Sequence, residues 1–236
     1  MRSIMISPES IRSFWNRAAE ENPYWYVSSY GTYGPDRNLE EFWASGDMVW
    51  KDLKRTTGYA PQKTDTVVEI GCGVGRLTRA IAPDVGQVVA FDISEKMLAI
   101  ARSADLPNAE FRLAEGFSLA GVPTGAIDFA LAYCVFQHLP TLEALRSYLA
   151  EMHRVTKPGG IIAFTLVPRD WTAWLLPPLR VKAYLREHLS LGGPKRLYRK
   201  EWVGIRPNSS AVYRVTPIRL EHRMLSGERI LYFGHC

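Results

Sequence analysis

Long hydrophobic runs are missing from this sequence of 236 residues. The apolar stretch Ile161 to Val167 falls far short of the roughly 20 residues that a membrane-crossing helix needs. Pro8, Glu9 and Arg12 interrupt the region after Met1, so no secretion signal is expected. Cysteine is scarce. Cys72, Cys134 and Cys236 are odd in number and widely spaced, which excludes a disulfide framework or a zinc ribbon and predicts free thiols in a reducing cytoplasm. The five histidines (138, 153, 188, 222 and 235) lack ligand spacing, so no metal is expected. With 18 glycines and 15 prolines the chain is neither collagen-like nor of low complexity.

What is abundant is unevenly placed. The formal net charge is +5, yet residues 1–65 and 66–179 are each slightly acidic. The basic excess lies in residues 180–206, where Arg180, Lys182, Arg186, Lys195, Arg196, Arg199, Lys200 and Arg206 face only Glu187 and Glu201. A local anionic partner or a solvated face fits this better than a surface built throughout for nucleic acid. Aromatic residues crowd the first fifty positions, with Trp15, Trp25, Trp43 and Trp50 beside Phe14, Tyr24, Tyr26, Tyr30, Tyr33 and Phe42.

Ser7-Pro8-Glu9 reads as a helix start, and Asn22-Pro23 as its stop. Tyr24 to Arg37 reads as an aromatic loop, and Asn38 with Glu41 as the cap of a second helix closed by Gly58. From Thr66 short strands alternate with helices. The strands are Thr66–Ile70, Val88–Phe91, Glu110–Leu113, Ile127–Ala132 and Ile161–Val167, the last entered through a Lys157-Pro158-Gly159-Gly160 turn. Leu220 to Phe233 reads as a closing hairpin. This alternation predicts an α/β fold, a doubly wound Rossmann-like sheet of seven strands, mostly parallel with an antiparallel last strand, under helical caps. The expected organisation is an aromatic cap (1–60), a cofactor-binding core (61–167), a basic cap insertion (168–210) and a hairpin completing the sheet (211–236).

The chemically informative stretch is Val67-Val68-Glu69-Ile70-Gly71-Cys72-Gly73-Val74-Gly75-Arg76. A strand runs into a glycine turn and then a helix, which lets backbone approach a ligand with amides directed at it. The spacing is G-x-G-x-G, one residue short of the dinucleotide fingerprint, which disfavours a nicotinamide oxidoreductase. Asp92 follows at the end of the second strand, where a carboxylate can accept both hydroxyls of a ribose.

Residues 66–167 resemble the class I S-adenosylmethionine-dependent methyltransferases, small bacterial members in particular. The resemblance rests on E-I-G-C-G-V-G, V-V-A-F-D-I-S, I-D-F-A-L-A-Y-C-V-F-Q-H-L and K-P-G-G in that order. It implies that S-adenosylmethionine is the cofactor and S-adenosylhomocysteine the product. It places Gly71, Gly73 and Gly75 against the methionine part, counts Cys72 and Arg76 among the cofactor-binding residues and makes Glu69 the anchor of the turn. Asp92 would bind the ribose and Ile93 pack on the adenine, with Glu115 and Gly116 near the adenine amino group. Tyr133, Cys134 and Phe136 would flank the methyl group. Tyr133 is also a candidate catalytic residue, beside His138, the nearest candidate for a general base.

The acceptor half is less defined. Tyr24, Tyr26, Tyr30, Tyr33, Phe136 and Trp171 are the candidate acceptor contacts, and the aromatic segment reads equally well as packing between cap helices. The signatures of amino-directed and carbon-directed DNA methyltransferases are absent. The expected activity is methylation of a small, natural-product-like molecule at oxygen or nitrogen. Two alternatives stand beside it: a lipid or quinone methyltransferase meeting a membrane surface through residues 180–206, and a silent cofactor-binding module.

Overall fold

A computed structural model describes residues 7–28, 39–166, 205, 207, 209–225 and 229–236. Candidate residues Tyr30, Tyr33 and Trp171, and nearly all of the basic segment, lie outside the described residues.

Seven strands form one sheet. They are β1 (Thr66–Ile70), β2 (Gln87–Asp92), β3 (Ala109–Leu113), β4 (Ile127–Ala132), β5 (Thr156–Leu166), β6 (Glu221–Leu225) and β7 (Arg229–His235), in the order β3-β2-β1-β4-β5-β7-β6. The first five are parallel, and β7 runs antiparallel to β5 and β6. The expected Rossmann-like sheet, with its antiparallel last strand, is therefore present. Chain order reverses between β1 and β4, the place where open α/β sheets leave a crevice at their carboxyl ends. Central strands are apolar on both faces, as a doubly covered parallel sheet requires: Val67, Val68, Val88, Ala90, Phe129, Ala130 and Leu131 are all buried.

Among the described residues the helices are α1 (Pro8–Glu21), α2 (Pro23–Ser28), α3 (Leu39–Thr57), α4 (Arg76–Ile81), α5 (Glu95–Arg102), α6 (Leu142–Val155) and α7 (Ser209–Val215). Three start at hydroxyl caps: Ser7, Ser94 and Thr141 accept the amides of Ser10, Met97 and Ala144. Among the described residues no helix is long and apolar enough to cross a membrane.

Two local expectations are corrected. Residues 23–28 are helical, not loop. Asn22 Oδ1 accepts the Trp25 amide at 3.1 Å, and Tyr26 and Val27 anchor the turn in an aromatic cluster with Phe14 and Phe42. Residues 157–160 do not precede the strand but interrupt it. Ile127 pairs with Thr156 and Phe129 with Ile161, so four residues of β5 bulge opposite Asp128, with Gly159 at φ +81°. Lys157 Nζ closes the bulge on both Asp128 oxygens, at 2.7 and 2.8 Å. The expected boundary at residue 210 falls within α7, whose Val212 belongs to the main core.

Candidate functional site

The carboxyl ends of β1, β2 and β4 open into a cavity whose empty space, with the open solvent at its mouth included, is about 950 Å³. Glu69, Ile70, Gly71, Cys72 and Gly73 come from β1 and its turn, Asp92 and Ile93 from β2, Tyr133, Cys134 and Val135 from β4, and Arg76 and Leu77 from α4. Ile11 and Trp15 of α1 and Tyr26 and Val27 of α2 roof it. The roof rests directly on the glycine turn, since a Cβ added at Gly73, itself at φ +55°, would collide with Val27.

Four amides of the turn are bonded within the protein. Gly71 and Cys72 N–H both donate to the Phe91 carbonyl (2.7 and 2.9 Å), Gly75 N–H donates to the Cys72 carbonyl (2.9 Å), and Gly73 N–H donates to Asp92 Oδ2 (2.7 Å). Positive φ at all three glycines makes this tight return possible and leaves smooth backbone facing the ligand space.

Two carboxylates sit at the floor. Burial raises the Glu69 pKa to about 7, against the donated Thr78 hydroxyl at 2.6 Å and the nearby Arg76 charge. Burial also raises Asp92, to about 6, although the amides of Gly73 and Ser94 donate to its two oxygens. A carboxylate has about four acceptor positions. Asp92 therefore keeps capacity for a diol, at 9% exposure on the cavity wall. Arg76, only 5% exposed, donates from Nη1 to Ser45 Oγ at 3.1 Å and lies 6.0 Å from the Phe42 ring centre. Its buried Nε has no partner among the described residues, and such a donor is costly unless a ligand acceptor meets it. A diol acceptor, an unsatisfied guanidinium donor and an apolar wall (Ile93, Met97, Ala114, Phe117) fit a ribose, a carboxylate and an aromatic base.

His138 lies in a 3-10 turn, Phe136–His138, and lines the mouth. Its ring meets Trp15 edge-on at 5.3 Å, and its Nε2 is 3.3 Å from Gln137 Nε2. Tyr133 lines the same cavity. Tyr26 does too, with its hydroxyl donating to Glu21 at 2.8 Å.

Other expected contacts sit elsewhere. Phe136 is fully buried, stacked on Tyr148 at 5.6 Å and tilted against Phe164, so it is core and not acceptor wall. Tyr24 packs edge-on against Phe42 and Trp43 outside the cavity. Glu115 is exposed and neither it nor Gly116 lines the cavity; the Gly116 carbonyl instead accepts the Tyr148 hydroxyl at 3.3 Å. Gly75 supports the turn from behind, beside Ala101 and Phe111. Sequence reasoning missed Ile11, Trp15, Met97 and Tyr148, whose only signal is a position on the inward face of a helix, and Phe117, in a turn after β3.

Residues 68–164 match the family described as a methyltransferase domain. Among curated relatives it is 28% identical over 158 residues to the ubiquinone biosynthesis O-methyltransferase of Methylococcus capsulatus, covering 65% of this chain and 64% of that protein. It is 32% identical over 104 residues to ribosomal RNA small subunit methyltransferase A of Thermotoga petrophila, covering 43% and 39%. The chain thus spans less than two thirds of the length of either. Among solved structures, the DhpI–SAM–HEP complex aligns over 99% of both chains with a TM-score of 0.63 at 18% identity, a likeness of fold.

Proposed function

We propose that the protein transfers a methyl group from S-adenosylmethionine to an oxygen or nitrogen of a small-molecule acceptor. The observation that carries this reading is that Asp92 and Arg76 line one apolar-walled cavity at the sheet's reversal point. The cofactor supplies a methyl group already activated on a sulfonium. What remains for the chain is to bind, align and exclude water. Asp92 accepts from the ribose hydroxyls, Arg76 donates to the methionine carboxylate, and Ile93 packs beside the base. Glu69 and the Gly71–Gly75 turn shape the floor, while Trp15, Tyr26 and Val27 shut out solvent from above. Tyr133 and Cys134 border the transfer point. His138 takes the acceptor's proton where the acceptor arrives neutral and protonated.

The relative named for ribosomal RNA aligns over little more than the domain itself, so it says nothing of the acceptor half. The ubiquinone-pathway relative aligns over a longer stretch and favours a phenolic hydroxyl as acceptor, at the aromatic mouth formed by Trp15 and His138. Incubation with S-adenosylmethionine and a panel of phenols, quinols and amines tests the reading. Acceptor-dependent release of S-adenosylhomocysteine is expected, and release no faster than from Asp92→Asn across the panel would contradict it.

A further inference from the structure

The β4–β5 ladder ends at Ala132–Phe164, and two residues later Cys134 adopts φ +62°. That left-handed conformation disfavours residues bearing a Cβ. The other described non-glycine residue with positive φ is Asp105, a residue type that tolerates it. Cysteine has no such excuse, and strain of this kind survives only where the surroundings impose it. The imposing group is on β5. Cys134 N–H donates to Thr165 Oγ1 at 2.7 Å, and Thr165 is wholly buried. Its hydroxyl supplies an acceptor where the ladder has run out.

The effect reaches the ligand space through Val135. A Cβ at Gly71 would collide with the Val135 side chain, so the bend after β4 and the glycine turn form one continuous surface. Tyr133, Cys134 and Val135 all line the cavity, whereas Thr165 does not. A bend that relaxes to ordinary backbone angles must shift Val135 against Gly71 and move the wall where the methionine part is proposed to lie.

We propose that Thr165 is a positioning residue, whose hydroxyl locks the left-handed bend at Cys134 and thereby sets the cavity wall that meets the cofactor. The readout rests on the cofactor reading above, but the geometry does not.

The test measures S-adenosylhomocysteine affinity by calorimetry for wild type, Thr165→Val, Thr165→Ser, Cys134→Gly and the Cys134→Gly/Thr165→Val double variant. Thr165→Val keeps the shape and removes the acceptor, so affinity should fall about tenfold, the scale of one buried hydrogen bond. Thr165→Ser should restore it to within about threefold of wild type. Glycine bears no left-handed strain, so adding Thr165→Val to Cys134→Gly should cost less than about threefold. Lowered melting temperature with unchanged affinity, an equal loss for Ser and Val, or the full tenfold loss in the glycine background would each overturn the proposal. If Thr165→Val does not fold, the double variant decides: folding with affinity near that of Cys134→Gly supports the lock, and failure to fold overturns it. If wild type binds no S-adenosylhomocysteine, the cofactor reading falls separately. Exchange of the Cys134 amide then decides, about tenfold faster in Thr165→Val if the lock holds, and unchanged if it does not.

Discussion

Glu69 and Asp92 share one cavity, and burial acts on both in the same direction. Their pKa values rise to about 7 and about 6, above the values near 4 they have in an unfolded chain. Folding without ligand therefore takes up protons. The stability linked to these two groups is fully present below about pH 4 and is lost as pH rises through 6 to 7. Glu69→Gln, neutral at every pH, should flatten that fall when melting temperature is followed from about pH 5 to pH 8; identical slopes for wild type and variant would contradict it. Glu151 behaves oppositely. Hydrogen bonds from Arg154 lead the causes that lower its pKa to about 2, so its contribution is present above about 4.5 and lost only in strong acid. At this scale the sequence displayed Glu69, Asp92 and His138, because short motifs fix the first two on strands and the third in the turn that follows β4. It concealed Trp15, Met97 and Tyr148, since a buried helix face looks the same whether it meets core or ligand. Phe136 was misread for the same reason: its neighbours Val135 and His138 face the cavity while its own ring turns inward onto Tyr148.

At the scale of elements, the glycine turn and the bend after β4 depend on each other's size. Gly71 at φ +71° has no room for a Cβ beside Val135. Gly71→Ala should destabilise by about 2–5 kcal/mol, combining left-handed strain of about 1–2 kcal/mol with overpacking of about 1–3 kcal/mol. Val135→Ala in that background should return the overpacking share and leave the backbone share. Thermal melts of the single and double variants check this, and simple addition of the two losses would contradict it. Hydroxyl caps and apolar strands were readable because each is set by residues within a turn of chain. The helix Pro23–Ser28 and the bulge at 157–160 were not. Their local composition favours a loop and a turn, and tertiary contacts override it: Val27 against Gly73 in the first case, Lys157 against Asp128 in the second.

Over the whole molecule, the carboxyl ends of the central strands β1, β2 and β4 supply the floor of the site, and α1 and α2 supply its roof. The floor comes from the stretch that matches a methyltransferase domain, so the cofactor half was legible from contiguous motifs. The roof was not, because Ile11 and Trp15 meet Ile93 and Ala114 around the cavity across some eighty residues of chain. The central claim is that this floor binds the adenosyl cofactor through Asp92. Calorimetric titration with S-adenosylhomocysteine tests it most directly. The account predicts saturable one-to-one binding by wild type, weakened roughly 10- to 100-fold in Asp92→Asn, where hydrogen bonds to a charged acceptor are lost. Absence of binding by the folded wild type, or equal affinity in Asp92→Asn, would contradict it.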